Sequence, residues 1–325
     1  MVAHSKQRSI NKDDSKEKAA DNMEGPNLFD EVVERLKKKS EERLRYLEQQ
    51  GQLPLAAIEA LKLPIWGDSK RGIPNEVVRS SLFSIKPHYI PRQFYKNKGI
   101  ATIGNNCNIF YSGEDLRQDD CTVWLQLMHV GKEITLGDGV EVNYHQFLKA
   151  LDWPTNDGGY DRLQKSFERM KVSSLTIHSE RISTKYPQFK DRGISISLIR
   201  KIEYATEIFK NGKTSRKAII YFEPEVYYLF GSVYFSKIDW DTRKKLKPLA
   251  QWLHNMYQSH AKPYPLKVQT IFEACGSGAA LLKNFRVDLR SSLKQLVTVG
   301  FLTSWDIDKN DLVSVVRAKQ NPKLN

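Results

Sequence analysis

Cysteine is scarce in this 325-residue chain: Cys107, Cys121 and Cys275 are odd in number and far apart. They make neither a disulfide framework nor a zinc ribbon, and buried thiols are the expected role. The seven histidines are scattered, and no pair has the spacing of a metal-binding set that a metallohydrolase or a strand-nicking nuclease would need. Long apolar runs are also missing. No stretch reaches the ~18 residues of a membrane span. The opening MVAHSKQRSINKDD has no hydrophobic core for a signal peptide, so a cytosolic protein without a membrane partner is expected. A nucleotide-binding loop is missing too. Gly212-Lys213-Thr214 resembles the end of a P-loop, but Glu207 stands where its first glycine belongs, and Asn211-Gly212 suits a hairpin turn. No cofactor, metal or catalytic residue is therefore expected. Asp119 and Asp120, with Glu114, Asp115 and Arg117, are expected at the exposed start of a helix, where carboxylates favour the dipole.

Positive charge is abundant. The net charge of +13 and a pI near 9.4 point to a polyanionic partner, and nucleic acid or an anionic membrane would both fit.

One hydrophobic pattern occurs twice. Val142, Tyr144, Phe147, Leu148, Ala150 and Leu151 match Leu266, Val268, Ile271, Phe272, Ala274 and Cys275 at a constant offset. After two extra residues in the second loop, Leu163, Phe167, Met170 and Leu175 match Leu289, Leu293, Leu296 and Phe301. Each copy reads as a short strand, a helix, a polar turn, a longer helix and then β-rich sequence, the order of a winged helix-turn-helix. The expected fold is α+β: two tandem winged-helix domains behind a disordered and helical N-terminal arm.

The division along the chain follows from composition. Residues 1–26 balance acid and base with few large apolar groups and are expected to be disordered. Residues 27–72 hold a charged helix, with Val33, Leu36, Leu44 and Leu47 as a thin apolar stripe, and then a linker broken by Pro54, Pro64, Gly67, Gly72 and Pro74. The first winged-helix domain is placed at 73–232 and the second at 233–320. In the first, strands are expected at 100–103 and 108–111, a helix from Glu114 to Val130, and a helix through Leu151 capped by Asn143. DWPTNDGG (152–159) is the expected turn. Runs at 175–177, 194–199 and 218–222 would form an enlarged wing. In the second, Pro248 opens a helix, residues 270–275 and 280–298 form the next two, and a hairpin from Phe301 to Val316 turns at residues 308–311.

The longer helix of each copy carries a basic row. At ~100° per residue, Arg162, Lys165 and Arg169 share one side, away from Leu163, Phe167 and Met170. In the second copy Lys283, Arg286, Arg290 and Lys294 share a side, apart from Phe285, Leu289, Leu293 and Leu296. Arg in such a row can bond guanine edges bidentately, and Lys can neutralise phosphates. Lys309 and Asn310 at the second wing tip, and Lys185, Lys190 and Arg192 in the first insertion, are further candidate phosphate contacts.

From about Pro64 to Arg317 the chain resembles the TrfA family of plasmid replication initiators. The resemblance is carried by IPNEVVRSSLF (73–83), YSGEDLRQDD (111–120) with Val123-Trp124, GKTSR (212–216), YFSKIDW (234–240) and KPYPLKVQTIFEACGS (262–277). It implies a bacterial cytoplasmic protein that binds directly repeated origin sequences, called iterons, and helps open an adjacent AT-rich segment. It also implies recruitment of the host replicative helicase and host initiator, and a monomer–dimer equilibrium in which the monomer is active. The family can carry a sliding-clamp-binding peptide of the form Gln-Leu-(Ser/Asp)-Leu-Phe. Here the match is Gln52, Leu53 and Leu55, with Pro54 unexpected and Ala56 where the aromatic anchor belongs. A winged-helix transcription repressor acting on its own promoter is the alternative function. A repressor normally binds inverted half-sites as a symmetric dimer, whereas two unlike readers in one chain suit direct repeats.

Overall fold

The computed structural model describes residues 63–64, 66–104, 107–134, 138–179, 193–208, 214–223, 226–230 and 235–318, with Lys38 and Glu42 as helical positions. The expected tail, most of the charged arm, Gln52, Leu53 and Leu55, Lys185, Lys190 and Arg192, and the Gly212-Lys213 turn lie outside the described residues.

The first half of the chain runs β1 (Lys70–Pro74), α1 (Asn75–Val78), β2 (Phe94–Ile100), β3 (Cys107–Glu114), α2 (Gln118–Val130), β4 (Gly139–Asn143), α3 (Tyr144–Ala150), α4 (Asp157–Lys171), β5 (Ser174–Ser179), β6 (Gly193–Ile196), β7 (Lys201–Ile208) and β8 (Thr214–Tyr221). Then follow α5 (Val226–Phe230), β9 (Phe235–Asp239), α6 (Trp240–Lys244), α7 (Pro248–Gln258), β10 (Leu266–Lys267), α8 (Val268–Ala274), α9 (Leu282–Thr298), β11 (Leu302–Ile307) and β12 (Leu312–Arg317). The class is α+β, and all strand pairs are antiparallel.

The duplication reappears in the sheets. β4 precedes two helices and pairs with β8 of the β7–β8 hairpin; β10 precedes two helices and pairs with β12 of the β11–β12 hairpin. The strand orders β4-β8-β7 and β10-β12-β11 are thus the same. Local chemistry sets the helix starts in the first copy. Asn143 accepts a hydrogen bond from the Gln146 amide at 3.1 Å, and Asn156 accepts one from the Gly159 amide at 3.0 Å, so both helices are side-chain capped. The turn between them is tight: a Cβ on Gly159 would stand 1.8 Å from the Pro154 carbonyl oxygen. Both longer helices bury their apolar stripes, Leu163, Phe167 and Met170 on α4 and Phe285, Leu289, Leu293 and Leu296 on α9.

Three expectations are corrected. The runs at 175–177 and 194–199 do not enlarge the wing. β5 and β6 complete a separate sheet of order β2-β3-β5-β6, because Leu175 and Ile177 bury against the strand carrying Tyr111 and Ile109. The helix expected from Glu114 starts at Gln118. Glu114 ends β3, paired with Phe94, and the Asp120 carboxylate accepts the Arg117 amide at 2.9 Å, which caps the helix there. Finally, residues 63–74 are no linker. Leu63, Trp66 and Ile73 are buried, and β1 pairs along its whole length with β9. Gly72 breaks nothing: it lets the Trp66 ring lie flat on the strand, where a Cβ would meet it at 2.5 Å.

The β1–β9 ladder joins early chain to late, and so does the core. One hydrophobic cluster runs from Leu63 to Val313, with α7 packed on α2 and on α9. Arg243 of α6 is fully buried between the halves, donating to Gln118 Oε1 at 3.1 Å and Thr122 Oγ1 at 3.2 Å. The Trp252 indole donates to the Ser80 carbonyl and the Trp240 indole to the Ala150 carbonyl, both at 3.1 Å. Removing volume from this shared core should therefore destabilise the chain as one unit. Leu253→Ala, at a fully buried position on α7, is expected to cost about 2–5 kcal/mol. Urea unfolding followed by tryptophan fluorescence should stay a single transition at a lower midpoint; two separated transitions would contradict a common core.

Candidate nucleic-acid interface

In the second unit the periodicity that buries Phe285, Leu289, Leu293 and Leu296 leaves Lys283, Arg290 and Lys294 on the solvent side of α9. Arg286 stands on the same side but is half-buried and engaged. Its Nε donates to Asp311 Oδ1 at 2.9 Å, and its Nη2 donates to Asp311 Oδ2. Asp311 closes the wing turn in the left-handed region, at φ 59°. Asp308 organises that turn by accepting the amides of Asn310 and Leu312, each at 2.8 Å. Lys309 and Asn310 are thereby held out at the tip, both exposed. Lys267 joins them, its Nζ donating to the Asn310 carbonyl at 2.9 Å. The hydrogen bond from Arg286, followed by the charges of Arg286, Lys267 and Arg290, holds the Asp311 carboxyl below its ordinary range against a desolvation that raises it. Helix row and hairpin turn are thus joined, and together they present Lys267, Lys283, Arg290, Lys294 and Lys309, with Asp308 and Asp311 among them. Lys267 was missed by sequence reasoning because its spacing to the wing exists only in the fold.

The first unit differs. Arg162 and Lys165 are exposed on α4, with the Arg162 guanidinium stacked 3.6 Å above the Trp153 ring. Arg169 is turned inward: its side chain is 11% exposed, and its Nε and Nη2 donate to Asp120 Oδ1 at 3.1 and 2.7 Å. Ser166 donates to the same oxygen at 2.7 Å, and Arg92 donates to Asp120 Oδ2 at 2.7 Å. Here the exposed-helix-start expectation fails. Asp115, Arg117 and Asp120 are buried, Arg117 bonds Asp115 at 3.0 Å, and Lys86 bonds Asp115 at 3.2 Å. Carboxylates can sit there because each is matched by guanidinium or ammonium donors. Half-exposed Asp119 lies 3.1 Å from Arg92 and 3.6 Å from Arg162. Partial burial raises its pKa, but the charges of Arg92, Arg162 and Arg169 outweigh this and leave it below the ordinary value.

Aligning the buried stripes also shows that the two basic rows are not superposable. At the offset that matches Leu163 to Leu289, the positions of Lys283, Arg286, Arg290 and Lys294 are held in α4 by Asp157, Tyr160, Gln164 and Glu168. The rows flank their apolar stripes on opposite sides. What stands near Tyr160 instead is Arg216 of β8, 5.4 Å from the ring and within 3.7 and 3.5 Å of Asp157 and Asp161. It lies in GKTSR, whose pattern alone did not reveal a partner. Among the described residues no group of His, Cys, Asp and Glu could hold a metal ion.

The buried carboxylates generate a stability prediction. Asp120→Ala would leave Arg169 without its carboxylate in a water-poor site, with Arg92 keeping Asp119 and the Asp115 carbonyl, and should cost about 3–5 kcal/mol. For Asp119 the folded pKa is depressed from 3.8, so its contribution is complete above pH 3.8 and fades as pH falls through the folded value. The stability curves of the parent and Asp119→Asn proteins should converge below pH 3.8 and separate above it. A gap independent of pH would contradict the pairing.

A family model described as TrfA protein matches residues 24–317. The plasmid replication initiator protein TrfA of Escherichia coli is 27% identical over 254 residues, covering 78% of this chain and 63% of that relative. The chain thus spans less than two thirds of that relative's length. Two solved structures of RctB domains 2 and 3 are similar at TM-score 0.49: one is 13% identical and covers 72% of this chain and 95% of its own, the other 12%, 76% and 98%. With a family match running from before the first described strand to the last residue of β12, the chain belongs to the TrfA family.

Proposed function

We propose that the chain is a plasmid replication initiator that binds direct repeats at an origin through two winged-helix units. The observation that carries this reading is the positive surface of the second unit: an exposed helix row and a wing tip joined through Asp311 and Lys267. A helix of that kind suits the major groove, and Lys309 at the wing tip, with Lys267 beside it, suits the flanking phosphates. Arg162 and Lys165 extend the contact in the first unit, while Arg169 acts by fixing α4 through Asp120.

Opening of an adjacent AT-rich segment requires no chemistry by the protein. If each repeat binds more tightly to bent or underwound DNA, the differential free energy of several bound copies offsets unstacking, with supercoiling supplying the rest. The host replicative helicase and host initiator are the proposed partners at the opened strand. Gln52, Leu53 and Leu55 are the proposed sliding-clamp contact, and a monomer–dimer equilibrium is the proposed restraint on copy number.

Two measurements test this reading. Potassium permanganate should detect unpaired thymines on a supercoiled plasmid carrying the origin, with no strand break. A site-specific nick or a protein–DNA adduct lost on changing one tyrosine to phenylalanine would refute it, and protection of a single inverted repeat would favour a repressor. The exposed cations Lys165, Lys267, Lys283, Arg290, Lys294 and Lys309 neutralise about six phosphates on this account, so log affinity should fall with log salt at a slope of about −5. A slope shallower than about −3 would contradict it.

A further inference from the structure

Arg286 is the one cation of the α9 row that is not free to reach DNA with its whole guanidinium, and the group that restrains it comes from the wing. Asp311 takes the Nε edge and one Nη2 hydrogen in a two-point contact. Five N–H donors lie in a rigid fork, so the Nη1 hydrogens and the second Nη2 hydrogen remain for another partner. That remaining edge is the one that can pair with two acceptors on a guanine. The carboxylate is itself held firmly. The Asp311 carbonyl accepts the Val268 amide at 2.9 Å, and its amide donates to the Asp308 carbonyl at 3.0 Å. Asp308 and Lys267 brace the same turn. The turn is therefore tied to the start of α8, to β12 and, through Arg286, to α9.

We propose that Asp311 is a specificity-determining residue: it aims Arg286 at a base edge and withholds it from indiscriminate phosphate contact. This rests on the reading of α9 as a groove-binding helix. Two effects act in the same direction. A guanidinium fixed in one plane loses little rotamer freedom when it meets a guanine, so the correct base is favoured. A carboxylate beside it disfavours a phosphate at that spot, so non-specific binding is opposed. The wing tip and the base-reading arginine are thereby one rigid piece, and phosphate contact by Lys309 would set the distance of Arg286 from the groove.

The first unit supports this by its inverse. There the arginine, Arg216, is on the hairpin and the carboxylates, Asp157 and Asp161, are on the helix, at 3.5–3.7 Å rather than in a two-point bond. The tie between helix and wing is kept in both units, but only the second aims an arginine that starts from the helix.

The test uses the full chain with two probes: the duplex it enriches from a randomised pool, and a scrambled duplex of the same composition. Asp311→Asn keeps a side chain that tolerates the left-handed conformation, so the turn is preserved; an unchanged thermal midpoint verifies it. The expected result is about tenfold weaker binding to the enriched duplex, unchanged or tighter binding to the scrambled one, and a steeper salt slope on the latter. In an Arg286→Ala background the same substitution should change the preference less than twofold. Asp311→Asn altering both probes equally, or leaving the preference within twofold, would overturn the proposal. Arg290→Ala separates the two levels. If it lowers preference while Asp311→Asn does not, only the aiming role fails. If no duplex is enriched, or neither Arg290→Ala nor Arg286→Ala lowers preference, the groove-binding reading itself fails and the aiming role with it.

Discussion

Asp120 is a carboxylate with no exposure to water, and the placement of α4 on α2 traces back to it. An isolated charge there would be prohibitively costly to bury. It is stabilised by Arg92, by Arg169 and Ser166 of α4, and by the Arg117 amide that precedes α2. Those partners come from three separate stretches of chain. Satisfying one carboxylate therefore fixes how α4 lies across α2. In the same first turn of α2, Gln118 receives the buried guanidinium of Arg243, which carries the constraint into the second half. Such a network need not add net stability, because desolvation offsets the attraction, but a packing shifted from this one would leave a buried charge unpaired.

From that frame the two units diverge in how they present charge. α9 offers its cations directly, on the side away from the core, with the wing tip next to them. α4 turns one arginine to the interior, stacks another on Trp153 and has Asp157, Tyr160, Gln164 and Glu168 where α9 has its basic row. A duplicated fold need not mean duplicated contacts. On the proposed function the second unit would carry the stronger electrostatic attraction, and the first would add contacts from Lys165, Arg162 and the hairpin.

Much of this was legible in the sequence. The offset pairs such as Phe167 with Leu293 identified the repeat because burial of a helix stripe depends on local periodicity. The cap Asn143, the turn at 152–159 and the turn at 308–311 were legible for the same reason, since their chemistry acts over a few residues. What was not legible is non-local. Gly72 reads as a breaker until Trp66 is placed on it, and β5 reads as wing until β3 is beside it. Arg169 and Lys165 share one face by angle, yet only Arg169 meets a carboxylate, forty-nine residues away in sequence. Lys267 and Asp311 joined the interface for the corresponding reason: ladder pairing of β10 with β12 brings them together. The family resemblance, read from about Pro64 to Arg317, lies within the 24–317 span of the family match, but said nothing of these pairings.

The central claim is that one chain, held as a single body, meets a repeat with two unlike helices. Its most direct test is hydroxyl-radical footprinting of a duplex holding one repeat, with the number of bound chains determined on the same complex by native mass spectrometry. The account predicts one chain per repeat and two protected backbone patches on one face, about one helical turn apart. Two chains per repeat with a twofold-symmetric protection pattern would contradict it.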